Sequence, residues 1–117
     1  MGGWDARKFL ERIGNDESLL REVTDIFLEE PPKLMGRLHE AVDSQAPEIV
    51  ERTAHSLKGG LAYFGSSAAD LARELERIGR EHDLAEAAGL LASLEAEVTS
   101  LMAAVRRDVR GESARAR

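Results

Sequence analysis

The chain has 117 residues, enough for one ordinary hydrophobic core and too few for two. Its net charge of −6 comes from interspersed acids and bases, which argues against the basic stripe of a nucleic-acid binder. The absence of cysteine excludes disulfide scaffolds, thiolate zinc sites and thiol catalysis.

Met1 is not followed by a signal-peptide core, and no apolar run reads as a bilayer span, so the expected compartment is cytoplasmic. Ala, Leu, Glu and Arg dominate the composition, and these strong helix formers point to an all-α fold.

Five helical segments follow in order. The first runs from Trp4 or Asp5 to Ile13, with Gly14 placed to stop it and Phe9, Leu10 and Ile13 on one side. Asn15 and Asp16 offer capping chemistry for the second, whose expected stripe is Leu19, Val23, Phe27, Leu34, Leu38 and Val42. Leu20, Ile26 and Met35 lie beside that stripe. It keeps helical phase through Pro31-Pro32, so a kink is expected there rather than a break.

A short connection over Ser44 to Pro47 leads into the third segment, Pro47 to Phe64, which Gly65-Ser66-Ser67 closes. Ser67 and Asp70 have capping-box-like spacing for a fourth helix to Arg80 that buries Ala68, Leu71, Ala72, Leu75 and Ile78. Asp83 and Glu86 open the last helix, with the stripe Leu84, Ala87, Leu91, Leu94, Val98, Leu101 and Val105. Steps of three and four over so many turns are the seam of a bundle helix. The expected architecture is an antiparallel up-and-down four-helix bundle with a short N-terminal capping helix. It forms a single domain over 1–117, with its core at about 5–107 and a frayed, mildly basic tail at 108–117.

Chemistry is concentrated on the third segment. Its core stripe is Val50, Ala54, Leu57, Leu61 and Phe64, and His55 falls about 140° from the centre of that stripe, facing solvent. Lys58 follows one turn later. Gly59 projects away from the core, on an outer strip shared with Glu48, Arg52 and Ala62. Gly59 and Gly60 each cost about 1 kcal/mol relative to alanine inside an exposed helix. A bare backbone beside an exposed imidazole has a use: it lets another surface approach. A nearby ammonium suits a phosphorylated imidazole.

Ala54-His55-Ser56-Leu57-Lys58-Gly59, followed by Gly65, resembles the signature of histidine-containing phosphotransfer (HPt) domains. The likeness extends to Leu19–Leu38, with Phe27-Leu28-Glu29-Glu30 before a proline, to Leu75-Glu76, and to the last helix. It covers about residues 5 to 107. The doubled proline and Gly60, where Ser or Ala is commoner, depart from the pattern.

The resemblance implies a phosphorelay intermediate. His55 would take a phosphoryl group from a receiver-domain aspartate and pass it to another receiver. Lys58 would stabilise the phosphoryl group, and Gly59, with Arg52 and Ala62, would admit the partner. The implied partners are response-regulator receiver domains, with a histidine kinase upstream. No cofactor is expected on this chain, Mg²⁺ being expected on the receiver, and no metal site, since His39, His55 and His82 lie on three segments. No phosphate-binding loop of Walker or kinase type occurs, so phosphate must come from another domain.

A Met1-Gly2-Gly3 start and an Arg-rich end read as a domain taken from the end of a hybrid sensor kinase, one that a membrane sensor could tether, with the isolated domain expected to be monomeric. The alternatives are a helical adaptor or dimerisation module, and a degenerate HPt domain that docks partners without carrying phosphate.

Overall fold

The computed structural model describes residues 4–64 and 67–115, with side chains to Gly111. Five α-helices make up the fold, and the described residues contain no strand: α1 Ala6–Arg12, α2 Glu17–Asp43, α3 Pro47–Tyr63, α4 Ala68–Arg80 and α5 Ala87–Arg115. Helices α2 to α5 close a ring in which each packs on its neighbours in sequence and α5 returns to α2, while α1 sits on α5. The molecule is elongated, 50 × 24 × 20 Å. The 29 residues of α5 account for about 43 Å of that length.

Local chemistry sets the helix ends. Asp5 Oδ1 and Asp16 Oδ1 accept the amides of Lys8 and Leu19, each at 3.0 Å, and so start α1 and α2. The expected capping box on α4 does not form. Ser67 is itself in helical geometry and makes no side-chain cap; its hydroxyl reaches Glu97 instead, at 3.4 Å. Gly65 and Ser66, expected to close α3, lie outside the described residues.

Helices α1, α2 and α4 end in the same left-handed turn. At the first, Gly14 (φ 73) lets Asn15 N–H reach Leu10 O at 2.9 Å. Gln45 and His82 fill the same position at φ 55, where glycine is usual.

Helix α2 runs unbroken through both prolines. Its buried stripe is Leu20, Thr24, Phe27, Pro31, Met35, Leu38 and Val42. The expected stripe was one residue out at Leu19, Val23 and Leu34: Leu19 is exposed, Val23 and Leu34 are only half-buried, and Ile26, expected beside the stripe, is exposed. Thr24 is tolerated inside because its hydroxyl returns to Leu20 O at 2.7 Å, satisfying the polar atom locally. Pro31 offers a ring to the core and lacks only a donor that the helix can forgo.

Helices α3 and α5 bury the expected residues, Leu84 excepted, which is half-buried ahead of α5. At the α1 end, Phe9 stacks on Phe64 with centroids 5.2 Å apart, and Trp4 and Phe27 pack on the same ring.

Two expectations about the last helix change. Residues 108–115 are helical rather than frayed, and Val109 packs against the core. By length and hydropathy alone the Ala87–Gly111 stretch could cross a bilayer, at 1.4 with 33% of the window buried. Its many alanines raise that average, and its apolar stripe lies in the bundle core.

Candidate functional site

The site lies where α4 crosses α3. The crossing is close because Gly79 has no side chain: a Cβ there would sit 2.7 Å from Glu51 N and 2.8 Å from Pro47 O, both backbone atoms. Ala69 and Ala72 keep the same face of α4 low for the rest of its length. Running antiparallel, the two helices set Gly79 against Glu51 and, one turn further, Glu76 against His55 and Lys58.

The three side chains meet through one carboxylate. Glu76 Oε2 lies 2.7 Å from His55 Nδ1, and Lys58 Nζ donates to Glu76 Oε1, also at 2.7 Å. The Glu76 side chain is 11% exposed and that of Lys58 27%, while the imidazole is 67% exposed.

The Lys58 hydrogen bond holds the Glu76 carboxyl below its ordinary value, against the opposing cost of burial and with further help from His55. An ionised carboxylate only accepts hydrogen bonds. The Nδ1 of His55 therefore carries the ring proton in the neutral imidazole, and Nε2 presents its lone pair away from Glu76.

Arg52, Gly59 and Ala62 are exposed, as the helical phase requires. A Cβ on Gly59 or Gly60 would meet nothing within 4 Å, so neither glycine serves internal packing. Beside them an apolar groove runs between α2 and α3, lined by Val23, Ile26, Phe27, Gly59, Gly60 and Tyr63. Ile26 is 61% and Tyr63 50% exposed, much apolar surface left to solvent next to the histidine. Arg52 and Ala62 do not line it.

Sequence reasoning placed Lys58 near the imidazole but missed the group that joins them. Glu76 entered only through the Leu75-Glu76 likeness, with no role at the site. Its signal was positional, since it follows Ala72 and Leu75 and precedes Gly79 on a face otherwise apolar or small.

The other histidines present a different arrangement. His39 meets Glu95 through Nε2 at 2.8 Å, and His82 Nε2 lies 3.7 Å from Glu48.

The Hpt domain family model matches residues 22–107, most of the chain and all of α3 and α4. The chain belongs to the Hpt domain family, the histidine phosphotransfer modules of phosphorelays, which are phosphocarriers rather than enzymes of ordinary type. Among solved structures it is similar to histidine-containing phosphotransfer protein B (HptB) from Pseudomonas aeruginosa PAO1. The TM-score is 0.83 at 24% identity, covering 92% of this chain and 94% of that one. No curated protein sequence matches the chain.

Proposed function

We propose that Nε2 of His55 is the atom that carries the phosphoryl group, received from the aspartyl phosphate of one receiver domain and passed to the aspartate of another. The observation that carries this reading is the His55 geometry: an imidazole 67% exposed, tethered at Nδ1, with a bare helix backbone one turn away.

Lys58 supports the phosphoryl oxygens, swinging from Glu76 by rotation of its own stem. Gly59 and the apolar groove admit the receiver, and Arg52 and Ala62 form the outer margin of that contact. The Mg²⁺ that neutralises developing charge in phosphoryl transfer belongs to the receiver. The module acts within the cytoplasm as the last domain of a hybrid sensor kinase and is monomeric in isolation.

Incubation with a phosphorylated receiver tests the assignment. Wild type should take up acid-labile label and His55→Gln none. Equal labelling of His55→Gln would overturn it.

A further inference from the structure

We propose that the N-terminal segment from Trp4 to Ile13 is a positioning element for the receiver: its rings and Arg12 fix Tyr63 and Phe64 as one end of the apolar groove, so that docking of α1 and docking of a receiver reinforce each other. The proposal rests on the reading that receivers enter by that groove. Trp4, Phe9 and Arg12 do not line the groove themselves.

Among the described residues, each ring contact between this segment and the rest of the chain ends on Tyr63 or Phe64. Centroid to centroid, Phe9 stacks on Phe64 at 5.2 Å and meets Tyr63 edge-on at 5.3 Å, and Trp4 packs on Phe64 at 5.2 Å. Phe64 in turn lies 3.9 Å from Phe27, so the ring stack runs from α1 into the lining of the groove.

Arg12 adds a polar tie. Helix α3 has no basic residue in its last turn, and the final carbonyls of a helix lack intrahelical partners. Arg12 Nη2 donates to Tyr63 O at 3.3 Å, while its guanidinium carbon lies 5.4 Å from the centre of the Phe9 ring. One side chain of α1 thus holds the backbone of Tyr63 and covers the ring that Tyr63 packs on.

Coupling follows from the size of α1. Its seven residues are too few to hold a helix in water unaided, so α1 is helical only while these contacts last. With them made, Tyr63 and Phe64 have one arrangement and the groove has an end wall. With them lost, ordering that wall takes up part of the free energy of docking. Linkage runs both ways: whatever affinity a docked α1 adds for the receiver, a docked receiver returns to α1. His55 stands apart from this exchange, eight residues from Tyr63 and about 12 Å along α3.

The test begins without a partner. Phe9→Leu keeps an apolar side chain but removes the ring, and it should shift the ring proton signals of Tyr63. Phosphoramidate is a small donor that loses ammonia and has no surface to seat in the groove. It should label His55 of this variant at the wild-type rate. With a phosphorylated receiver, Phe9→Leu and Arg12→Gln should each raise the KM for that receiver about tenfold, a usual size for coupled sites, and leave kcat unchanged. Arg12 is exposed, and Arg12→Gln carries the test alone should Phe9→Leu not fold. Conversely, excess unphosphorylated receiver should slow hydrogen exchange at the Phe9 and Ile13 amides of the wild type, and Ile26→Glu, which sets a charge in the groove, should abolish that protection.

An unchanged KM in the folded variants, or a bound receiver that leaves exchange in α1 unchanged, overturns the proposal. A matching fall in phosphoramidate labelling overturns it too, since the damage then lies at His55. If Ile26→Glu keeps the wild-type KM, the groove reading on which the proposal rests is overturned. A wild type that takes no label from a phosphorylated receiver overturns the relay reading itself, and the proposal with it.

Discussion

Glu76 lies one turn before Gly79 on the face of α4 that meets α3, and the close approach at Gly79 is what brings Glu76 within reach of His55 and Lys58. A missing side chain at one residue thus sets the length of two hydrogen bonds at another.

Gly79→Ala should therefore weaken both fold and site. The added Cβ would meet backbone atoms at 2.7 and 2.8 Å, which cannot step aside as a side chain end could. A cost of about 1–3 kcal/mol is expected from overpacking, measured by urea denaturation. Slower labelling from a phosphorylated receiver should accompany it as α4 lifts from α3.

The opposite sign is expected at the exposed glycines. Gly59→Ala and Gly60→Ala each place a methyl in open space and should stabilise by about 0.5–1 kcal/mol. Gly59→Glu should keep helicity and a similar melting temperature, yet lose most transfer. Normal transfer by that variant would place the docking surface elsewhere.

Lys58→Ala removes one partner of a carboxylate that is nearly buried, so it should cost about 1–3 kcal/mol as well as slowing transfer. From the sequence, Lys58 reads as a flank residue whose loss leaves the fold untouched. The contact with Glu76 changes that expectation. Thermal melts and transfer rates on one preparation separate the two effects.

Acid should act through the same carboxylate. Lys58, with burial opposing it, holds the folded-state value of Glu76 below the ordinary 4.5. The stabilisation this represents is complete above the ordinary value and is lost as pH falls through the folded one. The stability gap between wild type and Glu76→Gln should narrow as pH falls below the ordinary value of 4.5. A gap independent of pH down to about 3 would show that Glu76 gains no charge-dependent stability.

His82 should be dispensable to the relay and mildly costly to the fold. It occupies a left-handed position at φ 55, where a glycine is usual. His82→Gly should raise stability by about 0.5–1 kcal/mol and leave transfer unchanged.

Most of the fold was legible because α3 and α5 carry their core as a regular apolar step, from Val50 to Phe64 and from Ala87 to Val105. Helix α2 was harder. It offers adjacent apolar columns, and hydrophobicity alone prefers Leu19 and Ile26 to the Thr24 and Pro31 that the core accepts. The exposure of Ile26 makes sense only once Tyr63 and the glycines of α3 are seen across the groove. His55, Lys58 and Gly59 stand close in sequence and were found by their spacing. Glu76 is 21 residues from His55, and only the packing of α4 on α3 joins them.

The apolar groove opens on one side of His55, between α2 and α3, while on the other α4 brings Glu76 against His55 and the Lys58 of α3. A carrier with a single open flank receives one visitor at a time. If receivers dock at that groove as proposed, donor and acceptor must alternate; ping-pong kinetics are then expected, with an excess of unphosphorylated receiver slowing the relay by occupying the berth its rival needs.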